Sequence, residues 1–454
     1  MENLSGEKNE AEMTFRRTNS SSIFHFNSPR KTLCTSPLNG GIREGITTLM
    51  NINCQGDGSY EVVMKEDDYG EELARQVREE GENPETTVAM STAAWIELSA
   101  EAEETYEDLT VRAVVSGGIE HNAVSPGDPT WYMEKNGQYI PAPDGREDCQ
   151  KRIGGTSVRS MSREEQAEKA GKKEQGEQAE QAGEEDQAEQ EEKAGKEEQK
   201  EKTEADGKDP GFIGTINIIL MVNQRMTDAA MLRALVLCSE AKAAAVQELL
   251  LGSCYSHEIA TGSGTDGTII AAPMESEYLL TTASGHVKLG ELIGKTVKKA
   301  LKEALVKQSS ACPARQFQIL QRVRRFGLNV GSFWDFYEKN RELFQKAGVC
   351  FSGAEDLVTR LQAVNQSSTG VIVTSLYVHL MDQYRWGLVM YPEVIREGKR
   401  LLQQNLYCGN GKFLCDVFPE AVLNPEEGKK FNSVTQYMYF LMLYMWVLTG
   451  ANLH

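Results

Sequence analysis

The apolar positions of the chain change period several times, and these changes mark out its elements. GTINIILMVN, from Gly214 to Asn223, is a β-branched run of strand length. Thr227-Asp228 then supplies a helix N-cap, and AAMLRALVLCSEAKAAAVQELLL is Ala/Leu-rich at helical spacing until Gly252 stops it. The loop EIATGSGTDG follows, then a strand in TIIAAP, a further strand around YLLTT, and a helix from near Lys288. Upstream, turn signals at Asn39-Gly40-Gly41 lie among β-prone runs, and EELARQVREE predicts a helix around Glu71 to Glu80. VAMSTAAW and LTVRAVVSGGI read as buried segments, the second ending on glycines as a strand entering a binding loop over residues 119–129 would. The alternation predicts an α/β (mixed α+β) sandwich core.

The flanking segments break this pattern. Residues 1–30 are polar and Ser/Asn-rich without sustained periodicity, which predicts a disordered leader. Residues 156–209 are built from units such as EQAEQAG and EEKAGKEEQKEK, with no face to bury, and are expected to form a disordered acidic Glu/Gln/Lys-rich insertion. The insertion separates a first part of the main domain, 31–155, from a second, 210–308. Beyond it, residues 309–454 predict a mainly helical appendage whose core is supplied by aromatic residues, Trp334, Trp386 and Trp446 among them. Its run from Tyr437 to Leu448 spans a dozen apolar residues against the roughly 20 a membrane-crossing helix requires, so a buried helix and no transmembrane span are expected.

Composition narrows the function. The chain has 454 residues and a formal net charge of −19, with a pI near 5.0. Such a field repels phosphate backbones, making nucleic acid a poor partner. Nine cysteines without CxxC spacing suit free thiols in a reducing compartment, and the first thirty residues contain no apolar signal region, so a cytoplasmic location is expected.

Gly262-Ser263-Gly264-Thr265-Asp266-Gly267 matches G-x-G-x-x-G, but it leads into a strand, whereas a dinucleotide site needs a strand before and a helix after. The loop does offer backbone N–H groups, two hydroxyls and a carboxylate. Amide hydrolysis needs a base, oxyanion donors and an acid for the departing amine; the bland alternative is a tight turn capped by Asp266. His121, His257 and His286 all fall in loops, and His286, after Gly285 and before a helix, is best placed for general base work. No zinc-ligand spacing, EF-hand or GxSxG occurs, so neither a dedicated metal site nor a nucleophile elbow is indicated. Glu240 and Lys242, two apart on a helix, do not share a face.

The blocks GTINIIL, TDAAMLRALVLCSEAKAAAVQEL, ATGSGTDG and SGHVKLGELIG, in that order, together resemble the adenosylcobinamide amidohydrolase family of corrinoid-salvage enzymes. SPLNGGIRE, the segment from Glu71 to Ala94 and VRAVVSGGIEHNAVSPGDP look like further family segments, so the resemblance covers roughly Thr32 to Lys307 without the insertion. It implies hydrolysis of the amide joining the cobyric acid moiety to the aminopropanol linker of adenosylcobinamide or a related cobamide. The corrinoid is then a small-molecule substrate, and no cofactor is implied. By the same resemblance Asn122, Asn217, Asp228, Glu240, Lys242, Thr261, Gly262, Gly264, Thr265, Asp266, His286, Lys288 and Glu291 occupy motif positions, while Ser263 replaces the family's usual threonine.

The expected catalytic group is His286, oriented by Asp266 or Glu240, with N–H groups of Gly262 to Thr265 receiving the oxyanion. Asn122, Asn217, Thr261, Gly262, Ser263, Gly264, Thr265 and Lys288 are the expected substrate-binding residues. A variant of this chemistry makes Ser263 or Thr265 a nucleophile. Two rivals remain: a corrinoid-binding protein without catalysis, which would release no aminopropanol, and a nucleotide-binding transferase, which ATP or GTP would protect.

Overall fold

A computed structural model describes residues 8–10, 12–54, 65–66, 68–119, 122–130, 132–136, 138–141, 214–309, 311–327, 329–339, 341–346 and 350–405. The expected disordered insertion at 156–209 and the apolar run from Tyr437 to Leu448 lie outside these residues.

The chain starts with β1 (Lys8–Glu10), β2 (Met13–Arg17), β3 (Ser21–Cys34) and β4 (Gly41–Asn53). In β3, Phe24 and Phe26 turn inward while His25 and Asn27 face solvent, the alternation of a half-buried strand. Its register with β4 shifts between His25 and Thr32, around Pro29, a residue confined to such bulges because it has no N–H for the ladder. The expectation of a disordered leader over residues 1–30 is therefore wrong for the described part of that segment. Met13, Ile23, Phe24 and Phe26 are buried core, a short apolar pattern that the surrounding Ser and Asn obscure. Phe24→Ala should cost about 3–5 kcal/mol of stability in urea unfolding, the usual range for deleting a buried ring; a change within 0.5 kcal/mol would show that β3 does not belong to the core.

Helix α1 (Tyr69–Glu79) is capped by Asp68, whose carboxylate accepts from the N–H groups of Gly70 and Glu71. β5 (Thr87–Thr92) runs parallel to β4, and β6 (Ala100–Tyr106) and β7 (Leu109–Gly117) form a hairpin. β8 (Ala123–Val124) is short. β9 (Tyr132–Lys135) and β10 (Gln138–Pro141) form an antiparallel pair within a separate unit, residues 131–211. The main unit resumes with β11 (Ile216–Val222), β12 (Arg225–Met226), α2 (Asp228–Glu248), β13 (Gly262–Ser263), β14 (Gly267–Pro273), β15 (Leu279–Leu280) and α3 (Lys288–Ser309). β11 and β14 are parallel, with α2 as their crossover, while β7 and β3 flank them antiparallel.

The nine strands of the main sheet run in the order β1-β2-β3-β14-β11-β7-β6, with β4 joining β3 to β5. The sheet folds over on itself, and three apolar layers result. One face of β7, β11 and β14 (Val111, Val115, Ile216, Ile218, Leu220, Ile270) packs on α2 and α3. The opposite face (Val114, Ile219, Ile269, Ala271) meets Phe24, Leu49, Val88 and Met90 of the other half of the sheet. Outside that half, Met50, Ile52 and Ala89 receive Leu73 and Val77 of α1. The core is thus the mixed α/β sandwich expected, and because its central strands are covered on both faces, their sequence is apolar at nearly every position.

After α3 the chain is helical: α4 (Pro313–Gln316), α5 (Ile319–Val323), α6 (Val330–Lys339), α7 (Arg341–Lys346), α8 (Ala354–Val364), α9 (Ser368–Arg385) and α10 (Tyr391–Asn405). Phe333, Tyr337 and Tyr377 supply its buried aromatic core; Trp386, expected there, is half exposed, and Trp446 lies outside the described residues.

Candidate active site

Parallel pairing puts the first residues of β11 and β14 at one end of the sandwich, with Asn217 opposite Gly267. Asp266 precedes β14 there, and four backbone and side-chain groups converge on its carboxylate. Oδ1 accepts from Ile216 N at 3.0 Å, from Ser263 N at 3.1 Å and from Ser263 Oγ at 2.5 Å. Oδ2 faces the Lys242 ammonium in a close ion pair and shares Ser263 N at 3.0 Å. The pair is largely but not wholly covered, with 18% of the Lys242 and 11% of the Asp266 side chain exposed. Oδ1 is thereby committed to holding the loop, while Oδ2 carries the fewer fixed contacts.

Close approach requires glycine here. A Cβ on Gly262 would lie 2.1 Å from Asp266 Oδ2 and 2.6 Å from Lys242 Nζ, inside the ion pair. One on Gly267 would meet Met90 Sδ at 2.7 Å and Asn217 Oδ1 at 2.8 Å.

The outer rim of the cluster is neutral and hydrogen-bonding. Thr265, exposed, shares a 2.7 Å hydrogen bond with Thr215 Oγ1, and Asn122 Nδ2 reaches it at 3.5 Å while donating to the Gly214 carbonyl at 3.2 Å. The Tyr255 hydroxyl donates to Asn122 Oδ1 at 3.0 Å. β13 pairs antiparallel with β8, which ties the Gly/Thr loop to the segment carrying Asn122. Inward of this rim, Asn217 donates to Asn51 Oδ1 and to the Ser91 carbonyl, each at 2.8 Å, and Asn51 donates to Ser116 Oγ at 2.8 Å. This polar network is buried between the two halves of the sheet, so Asn217 braces the site from within and lies away from its rim.

The structure does not bring every expected residue here. His286 is exposed in the turn before α3, and Lys288 at the start of that helix lies over the Tyr106 ring at 4.4 Å and pairs with Glu291 at 2.6 Å. Tyr106 closes the β6–β7 hairpin, at the far end of the sheet from Gly117, against which Leu301 of α3 packs. Thirteen residues of helix separate Lys288 from Leu301, or roughly 20 Å at 1.5 Å per residue, because α3 runs the length of the sheet. Asp228 is also at that far end, paired with Lys31 of β3. Glu240 stands on the exposed side of α2, 3.7 Å from Arg233. The expected orientation of His286 by Asp266 or Glu240 is therefore absent.

Three of the four expected oxyanion donors are engaged: Ser263 N by Asp266, Gly264 N by the Asn122 carbonyl at 3.1 Å, and Thr265 N by Ser263 Oγ at 3.4 Å. Thr261 N donates to the Val124 carbonyl at 2.9 Å. Ser263 is buried and donates to Asp266, which sets it apart from the exposed Thr265. His121 lies outside the described residues.

Sequence reasoning missed the Lys242–Asp266 pair and the roles of Tyr255, Thr215, Asn51 and Ser116. The two-residue spacing that turns Glu240 outward does place Lys242 on the other side of α2, and Asn51 and Ser116 are polar interruptions of apolar strands. Thiol chemistry is not favoured at this end, since burial pushes Cys34 and Cys54 up to about 11. Among the described residues, no group of three or more His, Cys, Asp or Glu side chains is arranged to hold a metal ion, and no helix is long and apolar enough to cross a membrane.

The chain is similar to an uncharacterized protein, MJ1613, of Methanocaldococcus jannaschii, with 29% identity over 293 residues, covering 63% of this chain and 86% of that relative. The sequence profile of the adenosylcobinamide amidohydrolase family matches residues 5–158 and 176–313, a span that holds β2 through α3 and every residue of the Asp266 cluster. On that match the chain belongs to the adenosylcobinamide amidohydrolase family.

Proposed function

We propose that this chain hydrolyses the amide between the cobyric acid moiety and the aminopropanol linker of adenosylcobinamide or a related cobamide, yielding adenosylcobyric acid for salvage in a reducing cytoplasm. Family membership supports the substrate class, and the observation that carries the siting is the Lys242–Asp266 ion pair set behind a neutral rim of Thr265, Asn122 and Tyr255. A corrinoid presents neutral amides around a broad ring, and such a rim suits it through hydrogen bonds without opposite charge.

In this reading water adds to the amide carbonyl at the rim. Asp266 Oδ2 takes the proton from the attacking water, and the Lys242 ammonium supplies one to the nitrogen as the C–N bond breaks. Asn122, through the second acceptor site of its Oδ1, and Thr265 hold the substrate amide; with the N–H groups of Ser263, Gly264 and Thr265 and the Asn122 amide already engaged, the Lys242 ammonium is the donor that faces the oxyanion. Ser263 and Ile216 keep the carboxylate aimed.

Purified protein incubated with adenosylcobinamide should release aminopropanol and adenosylcobyric acid in equal amounts without added nucleotide. Corrinoid that binds and stays intact would favour a carrier instead, and hydrolysis that depends on ATP or GTP would favour a transferase.

A further inference from the structure

The helices beyond the family match make contact with the loop that carries Tyr255. The loop is closed on itself: Gly252 and Ile259 bridge, Ser253 N donates to the Glu258 carbonyl at 2.9 Å, and Ser253 Oγ donates to Asp128 at 2.6 Å. Its outer side rests on the helical region. Arg325 donates through Nη1 to the His257 carbonyl, and His257 Nδ1 returns a 2.8 Å hydrogen bond to the Arg325 carbonyl, which fixes the ring's tautomer. The imidazole also lies against Phe326, ring centres 5.6 Å apart. Arg325 Nη2 meets Asp382 Oδ2 of α9 at 2.5 Å, with only 5% of either side chain exposed. One turn further along α9, Arg385 pairs with Glu258 at 2.6 Å. Gly252 lets Arg325 approach, since a Cβ there would come within 2.3 Å of Arg325 Cβ.

One charged pair, Arg385–Glu258, and the reciprocal contact of Arg325 with His257 thus join the helical region to an eight-residue loop whose tyrosine ends on Asn122, while the buried Arg325–Asp382 pair anchors Arg325 within that region. A surface appendage has no need of a guanidinium–carboxylate pair this deeply covered. Leaving either partner alone in such a place costs more than the pair returns, so the pair is best understood as fixing one geometry. Burial pushes the Asp382 carboxyl upward and the Arg325 guanidinium opposes that shift, so the two are interdependent.

We propose that the helical region beyond Ser309 is a positioning device for the hydrolytic site, in which Arg325, held by Asp382, fixes the 252–259 loop and thereby seats the Tyr255 hydroxyl on Asn122. The inference rests on the assignment of the reaction to the Asp266 end of the sandwich. Arg325, Asp382 and Tyr255 are positioning residues; they act on the substrate through Asn122.

The test is a double-mutant cycle on the full chain with adenosylcobinamide as substrate. Tyr255→Phe removes the last link and should lower kcat about tenfold with KM little changed, as expected for a misplaced amide contact. Asp382→Asn should give a similar fall. The double variant should be no slower than Tyr255→Phe alone, because both changes cut the same chain of contacts. Asp382→Glu should recover part of the loss, and Arg325→Lys, which has no fork to serve both partners, should not. Falls that multiply in the double variant, or an Asp382→Asn enzyme as fast as the parent, would overturn the proposal.

Hydrogen exchange supplies a readout independent of turnover. Amides of residues 252–262 should exchange faster in Asp382→Asn while those of β11 and β14 stay protected; unchanged exchange in the loop would overturn the clamp even if the parent chain hydrolysed nothing. Should Asp382→Asn fail to fold, Arg385→Gln breaks the more exposed Glu258 contact, and the same loop exchange and kcat are read, with the same outcomes deciding.

Discussion

Gly262→Ala should abolish most of the activity while leaving a folded protein. The added methyl has nowhere to go except between Asp266 Oδ2 and Lys242 Nζ, 2.1 Å and 2.6 Å from where its carbon must sit. Opening the pair shifts the carboxylate from the geometry set by Ser263 and Ile216, and a misplacement of this size costs about 10² in turnover. The loss of stability should be smaller, about 1–3 kcal/mol as for other overpacked sites, because β13 is a two-residue strand at the margin of the core. Steady-state hydrolysis beside urea unfolding separates the two effects. Parental turnover in the alanine variant would mean that the ion pair takes no part in the reaction.

Lys242→Met tests the other half of the pair. Methionine keeps the stem of the side chain packed along α2 but removes the ammonium, leaving Asp266 a largely covered carboxylate without its cation. Removing one member of a fully buried pair costs about 3–5 kcal/mol, and residual exposure places this one near the low end of that range. Turnover should fall by about 10² or more, the weight of a lost acid–base group, with corrinoid affinity less affected because Asn122 and Thr265 remain. A variant that hydrolyses normally but binds corrinoid poorly would make Lys242 a binding residue.

The strand–helix–strand–helix course from β11 to α3 was legible because its periods are clean: a β-branched run, a capped Ala/Leu helix, a glycine stop, and a second strand and helix. Strand β3 was not. Its inward residues Ile23, Phe24 and Phe26 are few and set among Ser, Asn and Pro, so local composition outweighed a signal that only pairing with β2 and β4 makes plain. By its residue types alone the Gly/Thr loop reads equally as a turn capped by Asp266 or as a site, and the motif blocks of the family resemblance are what single it out. Its partners were harder to find, since Lys242, Asn122 and Thr215 reach Asp266 and Thr265 from three separate stretches of chain, and only the register of β11 with β14 and of β8 with β13 aligns them.

His286 shows the limit most clearly. It lies in sequence only twenty residues beyond Asp266, but β14 lies between them and carries the chain from one end of the sandwich to the other. Motif proximity therefore suggested a contact that the sheet forbids. Glu240 fails for a different reason: helical spacing turns it to solvent whenever Lys242 faces the loop.

The most direct test of the account compares Asp266→Asn with His286→Ala in one assay of adenosylcobinamide hydrolysis, with corrinoid binding measured in parallel. An amide at 266 turns an NH2 toward a ring of donors that includes Ser263 N, Ile216 N and the Lys242 ammonium, so turnover should drop by about 10² or more while binding changes only a few-fold and His286→Ala stays close to the parent. The reverse pattern, hydrolysis lost with His286 and kept without the Asp266 carboxylate, would move the reaction to the opposite end of the sheet.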